Sequence, residues 1–391
     1  MQTPQLPMAV SSFQLSGIVL AACPASAGPL TLTSIRCWLA VMLDPLVRPF
    51  ATLVLFFGFV LAIPEALADP EGAAAPKRVL FLAGPNSHGW GQHKHIAGST
   101  LLRDSLIEQT EVEAILITEW PSADELAKAD VLVIYADGWQ AHPANDKLEE
   151  LENFMNAGKG LVAIHWATGI QAADPQATDQ GADPRRKRWR DLMGADFEAY
   201  HSISNFWTAT LSEPVNHPVL RGIKPFSLYD ECYFHLRECG HEDCKVEPLW
   251  LAHPPAETIQ PGHSASRGND AARAAVHERK EEQYIAWAFP RPNGGRAFGF
   301  TGGHFHWTWA HDQARKLVLN GILWSAGGEV PADGVESTTP TAGRMLKDLP
   351  DRNPGWTEAA LQHALDRAAE GDIVRWLDYS GRPLPEPQTQ E

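Results

Sequence analysis

The sequence predicts an α/β protein with a doubly wound, mostly parallel sheet. In the first half of the chain, short apolar runs rich in β-branched residues alternate with segments of helical periodicity, and Gly or Pro follows several of them. Such alternation is typical of βαβ units, in which a helix connects two parallel strands. A chain of 391 residues is also long enough to bury a large core.

The first half supplies four predicted strands and the helices between them. We predict strands over residues 79–83, 112–117, 131–135 and 161–164, and helices over 93–108 and 145–156. A short helix between the second and third strands begins after Ser122, a residue that favours helix starts, with the acidic Asp124 and Glu125 in its first turn. Gly158 ends the second long helix.

The second half is predicted to be rich in β-structure. Strand patterns cover residues 206–211, 227–236, 246–252, 284–289 and 297–301, with few helix signals between them. The simplest arrangement is a β-rich insertion or an antiparallel edge on the same sheet. Residues 254–282 are polar and mixed, which favours a surface loop. An amphipathic helix follows over 310–326 and ends at Gly327-Gly328.

Residues 1–68 differ in composition from the rest, with four charged residues and none of the 16 histidines. The apolar run 50–63 follows Arg48 and precedes Ala66-Leu67-Ala68, which has the form of a signal-peptidase site. We predict a leader and signal peptide over 1–68, with Met42 as an alternative start, and therefore an exported, periplasmic or secreted protein. A lipoprotein motif at 20–23 is the rival interpretation, but no Lys or Arg precedes it.

The rest of the chain is predicted to contain a linker over 69–76 and one α/β domain over 77–328. Residues 329–391 are predicted to form a linker, one helix at 357–369 and a frayed tail. Because the net charge is −16, nucleic acid is not expected as a partner. After signal cleavage no membrane partner is expected. No G-x-G-x-x-G sequence follows the first strand, so no nicotinamide cofactor is expected.

Three cysteines follow the leader. Cys239 and Cys244 flank a polar turn that could close as a small disulfide loop in an oxidising compartment, leaving Cys232 as a buried thiol. A zinc site that includes His241 is the weaker alternative, because the two-residue ligand spacing of zinc knuckles is absent.

Histidine and tryptophan follow several predicted strands. His88 lies after the first, Trp139 after the third, and His165 with Trp166 after the fourth. Ligands bind at the carboxyl ends of parallel strands, so these side chains are predicted to share one edge. His165 takes the position of an exposed nucleophile in related sheets, and imidazole there suits acid–base chemistry. The neighbouring His93-Lys94-His95 begins a helix and is interpreted as solvated.

Later segments add further candidates. Glu231 and Tyr233 come from a β-segment, and Gly302-Gly303-His304 follows the last strand, ahead of His306 and Trp307. A His/Glu/His set can act as acid, base and orienting group, or can bind a divalent metal such as zinc. Spacing does not separate these interpretations, because the residues come from distant segments.

Several motifs in order resemble the trehalose-utilisation (ThuA-like) family. They are residues 160–168, His217-Pro218 with Gly222-Ile223, residues 230–233, residues 295–298 and residues 302–304. The resemblance implies a flavodoxin-like fold of the class I glutamine-amidotransferase type, a role in using disaccharides or related glycosides, and a sugar dehydrogenase in the same pathway. The family motif positions fall on His165, His217, Glu231, Tyr233 and His304, with His201 as a neighbour. Because His165 replaces the amidotransferase cysteine, glutamine hydrolysis is not expected.

Three functions are compatible with these residues. The first is an exported enzyme that acts on a carbohydrate or keto-sugar by proton transfer, with no cofactor. The second is a metal-dependent hydrolase that uses the same cluster, and the third is a sugar-binding module without catalysis. The candidate catalytic residues, which are also the alternative metal ligands, are His165, Glu231 and His304. The candidate sugar-binding residues are His88, Trp139, Trp166, His201, His217, Tyr233, His306 and Trp307.

Overall fold

The computed structural model describes residues 75–177, 180–259, 269–349 and 357–369. The predicted leader, signal peptide and frayed tail lie outside these residues, as does nearly all of the first linker. Among the described residues, none of the helices is both long and apolar enough to cross a bilayer.

A seven-stranded, mostly parallel sheet forms the centre of the fold. Its strand order is β2-β1-β3-β4-β11-β10-β9. The first five strands in this order are mutually parallel, and β10 and β9 add an antiparallel edge. The strands are β1 Arg78–Ala83, β2 Glu113–Ile117, β3 Val131–Tyr135, β4 Gly160–Ile164, β9 Glu247–Ala252, β10 Gln283–Pro290 and β11 Arg296–Phe300. With β11 in fifth place this is the flavodoxin-like order, so the predicted fold class is confirmed.

Helices cover both faces of the sheet. They are α1 His95–Gln109, α2 Ala123–Lys128, α3 Leu148–Asn156, α4 Pro184–Met193, α5 Asp270–Arg273, α6 Asp312–Ser325, α7 Ala342–Lys347 and α8 Glu358–Ala369. Helices α1 and α6 pack on one face, and α2, α3 and α4 pack on the other. Alternate residues of β1 enter the two cores: Val79 and Phe81 contribute to one, Leu80 and Leu82 to the other. The apolar runs are therefore strands buried on both faces.

The remaining strands form two small sheets. They are β5 Ala195–Asp196, β6 Trp207–Leu211, β7 Phe226–Asp230 and β8 Arg237–Glu238. Strand β6 pairs with β7, and β5 pairs with β8, both antiparallel. These strands lie between β4 and β9 in sequence, so the β-rich insertion and the antiparallel edge are both present.

Three segments differ from the sequence predictions. The strand predicted over 227–236 ends at Asp230, because residues 231–235 leave the ladder to reach the candidate site. Helix α4 was not predicted, since its ten residues include five Lys or Arg; it begins at Pro184 with Asp183 as its N-cap. Residues 270–278, predicted as loop, form α5 and a following short π-helix, Ala274–Glu278.

The segment after α6 packs closely on the domain, although the sequence pattern indicated a linker there. Val330 and Val335 are each 1% exposed, and Met345 of α7 is fully buried. Apolar residues spaced through an otherwise polar stretch were the signal for this packing.

Cys239 and Cys244 form a disulfide, with their Cα atoms 5.8 Å apart. Cys232 is a buried free thiol. Because both sulfurs are bonded to each other, the alternative zinc site with His241 is not present.

Candidate functional site

The candidate site lies at the carboxyl edge of the parallel strands. His93 belongs to the loop after β1, Asp137 follows β3, His165 follows β4 and His304 follows β11. The loops after β1 and β3 meet where the strand order reverses, which is where doubly wound sheets bind ligands. Glu231 reaches the same edge from the end of β7.

Backbone hydrogen bonds connect the loop after β1 with the loop after β11. The His93 N–H donates to the carbonyl of His304 at 2.9 Å, and the His306 N–H donates to the carbonyl of Gly91 at 2.8 Å. The buried Asp230 carboxylate accepts the N–H groups of Gly303 and His304 at 2.7 and 3.1 Å. These contacts fix the histidines of both loops relative to each other.

Backbone strain is concentrated here. Seven described non-glycine residues have positive φ, and four of them lie in the segments that follow β1, β3 and β4: His88, His93, Trp139 and His165. Left-handed conformations of such residues cost free energy and persist where the surrounding structure imposes them, often at functional sites.

Three imidazole nitrogens and one carboxylate oxygen converge at this edge. His93 Nε2 lies 3.0 Å from His304 Nδ1 and 3.2 Å from His165 Nε2. Glu231 Oε2 lies 2.9 Å from His304 Nδ1 and 3.6 Å from His165 Nε2. All four ligand atoms fall within 4.8 Å of one another. We call these four residues, His93, His165, Glu231 and His304, the histidine cluster.

In His165 and His93, the hydrogen bond of Nδ1, which faces away from the cluster, determines whether Nε2, which faces into it, carries a proton. His165 Nδ1 lies 2.8 Å from the carbonyl oxygen of Thr301, which can only accept, so Nδ1 carries the proton. His93 Nδ1 lies 2.6 Å from Asp137 Oδ1 and donates to it in the same way. In the neutral rings, both inward Nε2 atoms therefore carry lone pairs, and neither can donate to the other across 3.2 Å.

The charge states agree with this assignment. Burial lowers the pKa of His93 to about 2, although the Asp137 hydrogen bond opposes it, so the ring is neutral. Burial alone would raise the pKa of Asp137, but hydrogen bonds from His93 and Ser87 lower it to about 2. Burial would also raise the pKa of Glu231, yet His304 and His165 hold it well below its usual range. The cluster therefore presents a neutral His93 imidazole and an ionised Glu231 carboxylate.

This donor set fits a divalent metal ion. Ligand atoms about 2.0–2.1 Å from a tetrahedral zinc ion lie roughly 3.3 Å from one another, and the four measured separations run from 2.9 to 3.6 Å. A carboxylate or carbonyl on the outward nitrogen of a ligating histidine is also typical of metal sites. A second group, His88, His93 and Asp137, has ligand atoms at similar range. There the His88 ring stacks face to face on His93 at 3.7 Å instead of pointing at a shared centre.

Aromatic rings surround the cluster. Tyr233 stacks on His165 with ring centroids 4.6 Å apart, and its hydroxyl lies 3.1 Å from His165 Nε2. Trp166 meets His93 edge-on at 5.8 Å, and Trp139 meets Trp166 at 5.3 Å. His88, the one exposed ring of this group, stacks on His93. The predicted residues Tyr233, Trp166, Trp139 and His88 are therefore at this site.

Four other predicted sugar-binding residues are not brought to the cluster. His217 lies near the opposite edge of the sheet, 5.2 Å from the Trp324 ring and 3.3 Å from Glu247. His306 is fully buried against the carbonyl of Met345, and Trp307 is 1% exposed. His201 pairs with the His235 ring at 4.3 Å. These residues were chosen because they are close in sequence to residues of the site or lie in the family motifs. In the folded chain their side chains pack away from the cluster.

Two residues of the candidate site, His93 and Asp137, are not among those predicted from the sequence. His93 was interpreted as a solvated helix start, yet it is fully buried and contacts two other cluster histidines. Asp137 lies two residues before Trp139, which was predicted. The available signal was their position after β1 and β3, the two strands that flank the reversal of strand order.

The fold and the site together define an α/β protein of the doubly wound class, with a His/Glu site at the carboxyl edge of its sheet. The family model described as ThuA, trehalose utilisation, matches residues 78–325. That match covers more than half of the chain, so the chain belongs to the ThuA family, as the ordered motifs indicated.

Two solved structures are similar at 16% identity. A ThuA-like protein of Parabacteroides merdae gives a TM-score of 0.42 over 68% of this chain and 96% of that one. A ThuA-like protein of Bacteroides uniformis gives 0.44 over 67% and 98%. A search of curated proteins finds no match.

Proposed function

We propose that this ThuA-family protein is a sugar-acting enzyme with one divalent metal ion bound by the histidine cluster. The observation that carries the proposal is the 3.2 Å approach of two lone-pair nitrogens, His93 Nε2 and His165 Nε2. Two acceptors at that distance repel each other unless a cation or a shared proton lies between them. A metal ion satisfies both and also the Glu231 carboxylate. We therefore rank the metal-dependent function above metal-free proton transfer.

The metal would act as a Lewis acid that polarises a substrate oxygen. The protein's own residues have separate tasks. Asp137 and the Thr301 carbonyl hold two imidazoles in the ligating tautomer, and the carboxylate of Glu231 offsets the charge of the ion.

The aromatic rings around the histidine cluster support a sugar as the substrate. Trp139, Trp166 and His88 are partly or fully exposed rings at this edge. The apolar faces of sugar rings pack on such side chains, while their hydroxyls hydrogen-bond to polar tips. Trehalose or a related glycoside, in free or oxidised form, is the substrate class that family membership suggests. We further propose that a separate sugar dehydrogenase acts in the same pathway.

Elemental analysis tests whether the histidine cluster binds a metal ion. Protein purified without a histidine tag should contain about one equivalent of zinc, manganese or a similar ion. His304→Ala should lose it, and the matched control His201→Ala, which removes a histidine outside the cluster, should retain it. Wild-type protein that neither carries such an ion nor takes one up on reconstitution would contradict the proposal, and would favour acid–base chemistry or simple sugar binding.

Calorimetric titration tests the sugar. Metal-loaded protein should bind trehalose, and Trp166→Ala should weaken binding about tenfold, since one stacked ring contributes up to about 1.5 kcal/mol. Trp120→Ala serves as the control, because Trp120 bonds to Glu150 away from the cluster. Equal affinity in wild type and Trp166→Ala would place the sugar elsewhere.

We also propose export to the periplasm or the exterior. Support comes from the apolar run 50–63 with Ala66-Leu67-Ala68 after it, and from the Cys239–Cys244 disulfide, which is stable in oxidising compartments. N-terminal sequencing of the mature protein should begin at Asp69. A mature chain found only in the cytoplasm with residues 42–68 attached would contradict export.

A further inference from the structure

Ser204 contacts the one cluster carboxylate from the side away from the imidazoles. Its hydroxyl donates to Glu231 Oε1 at 2.5 Å, while Oε2 of the same carboxylate faces His304 and His165. The two oxygens of Glu231 thus have different partners. The contact lies between segments 27 residues apart, so it is formed by the tertiary structure.

The backbone on both sides of this contact is fixed. Ile203, next to Ser204, exchanges two hydrogen bonds with Phe234, at 2.9 and 3.1 Å. Asn205, on the other side, donates its amide to the carbonyl of Thr258 at 3.2 Å. The Glu231 N–H donates to Asp230 at 2.8 Å. The hydroxyl and the carboxylate are therefore held in place before any ion binds.

We propose that Ser204 is a positioning residue that occupies Oε1 and leaves Glu231 to present a single oxygen, Oε2, to the metal. This inference rests on the proposed metal centre. Without the hydroxyl, the carboxylate can rotate about its last torsion and exchange its oxygens, so the ligand loses its fixed orientation. Partners that orient metal ligands in this way typically contribute 10- to 100-fold to metal affinity.

A competitive zinc titration against a chromophoric chelator tests this role in the purified protein. Ser204→Ala should bind zinc 10- to 100-fold more weakly than wild type, and Ser204→Thr, which keeps the hydroxyl, should restore most of the affinity. Ser202→Ala is the matched control: Ser202 lies in the same segment, but its hydroxyl accepts the N–H of Glu198 at 3.0 Å. Its zinc affinity should equal that of wild type.

The cobalt-substituted protein gives a second readout. Its visible absorption reports coordination, so Ser204→Ala should change the spectrum, whereas Ser202→Ala should not. Equal zinc affinity and an equal cobalt spectrum in wild type and Ser204→Ala would overturn the role of Ser204 while leaving the metal centre intact. A wild-type protein that binds neither ion would instead overturn the metal centre.

Discussion

The substitution Asp230→Asn tests how the loop that carries His304 is held. Asp230 is fully buried, and its carboxylate accepts four hydrogen bonds. Oδ1 receives the N–H groups of Glu231 and His304 at 2.8 and 3.1 Å. Oδ2 receives the N–H of Gly303 at 2.7 Å and the hydroxyl of Thr308 at 2.6 Å.

Asparagine can replace only part of this set. Its oxygen can take the place of Oδ1, and the Thr308 hydroxyl can rotate to accept from the new amide. The Gly303 N–H then faces an N–H group and has no acceptor, which costs about 1–3 kcal/mol in a buried site. The two bonds that remain on the oxygen lose charge assistance, at about 0.5–1 kcal/mol each. We expect a total loss of roughly 3 kcal/mol in the free energy of unfolding.

Urea unfolding followed by tryptophan fluorescence measures this loss. Thr308→Val is the control, because it removes a single hydroxyl and should cost about 1 kcal/mol. The Asn variant should also bind zinc more weakly, since the His304 backbone is no longer held. An Asp230→Asn protein within 0.5 kcal/mol of wild type, an estimated bound close to the error of the method, would refute the hydrogen-bond argument.

Three further predictions concern the imidazole tautomer, acid stability and the disulfide. Asp137→Asn should weaken zinc binding 10- to 100-fold, because the amide no longer fixes His93 in its ligating tautomer; unchanged affinity in a chelator titration would contradict this. Burial lowers the pKa of His142 to about 4, so below about pH 6.5 the unfolded state binds a proton that the folded state does not. The free energy of unfolding therefore decreases as the pH is lowered, and this group accounts for a loss of about 2 kcal/mol at pH 5. His142→Gln should therefore lose less stability than wild type between pH 7 and 5 in urea unfolding, and an identical loss would show that His142 is not the cause. Replacing Cys239 and Cys244 with serine should lower the free energy of unfolding by about 2 kcal/mol, and a thermal midpoint equal to that of wild type would contradict the prediction.

Most elements of the sheet could be predicted, because they depend on local patterns. β1, β3 and β4 are apolar runs. β3 has the predicted bounds, and β1 and β4 each begin one residue before the predicted start. Helix α4 was missed because its apolar face consists of Trp189, Leu192 and Met193 among charged residues. Two of these, Arg186 and Arg190, are buried through ion pairs and carbonyl contacts that only the fold supplies.

The candidate site was predicted only in part. His165, Glu231 and His304 were recognised because each follows a strand or lies in a family motif. His93 was not, because a histidine at a helix start is usually solvated, and only the pairing of its loop with residues 304–306 buries it. His217, a candidate sugar-binding residue, lies away from the cluster, and its motif gives no information on which edge of the sheet it reaches.

Periodicity and turn residues are local properties, so they were enough to predict the strands, their parallel arrangement and therefore which loops share the carboxyl edge. The tertiary structure decided which atoms meet there. His93 and His304 are separated by 211 residues, yet their nitrogens lie 3.0 Å apart. Whether those nitrogens carry protons or lone pairs depends on the carboxylate of Asp137 and the carbonyl of Thr301, which other strands bring into place. Metal affinity depends on ångström-scale distances and on tautomers, and both are fixed only when the whole sheet has formed.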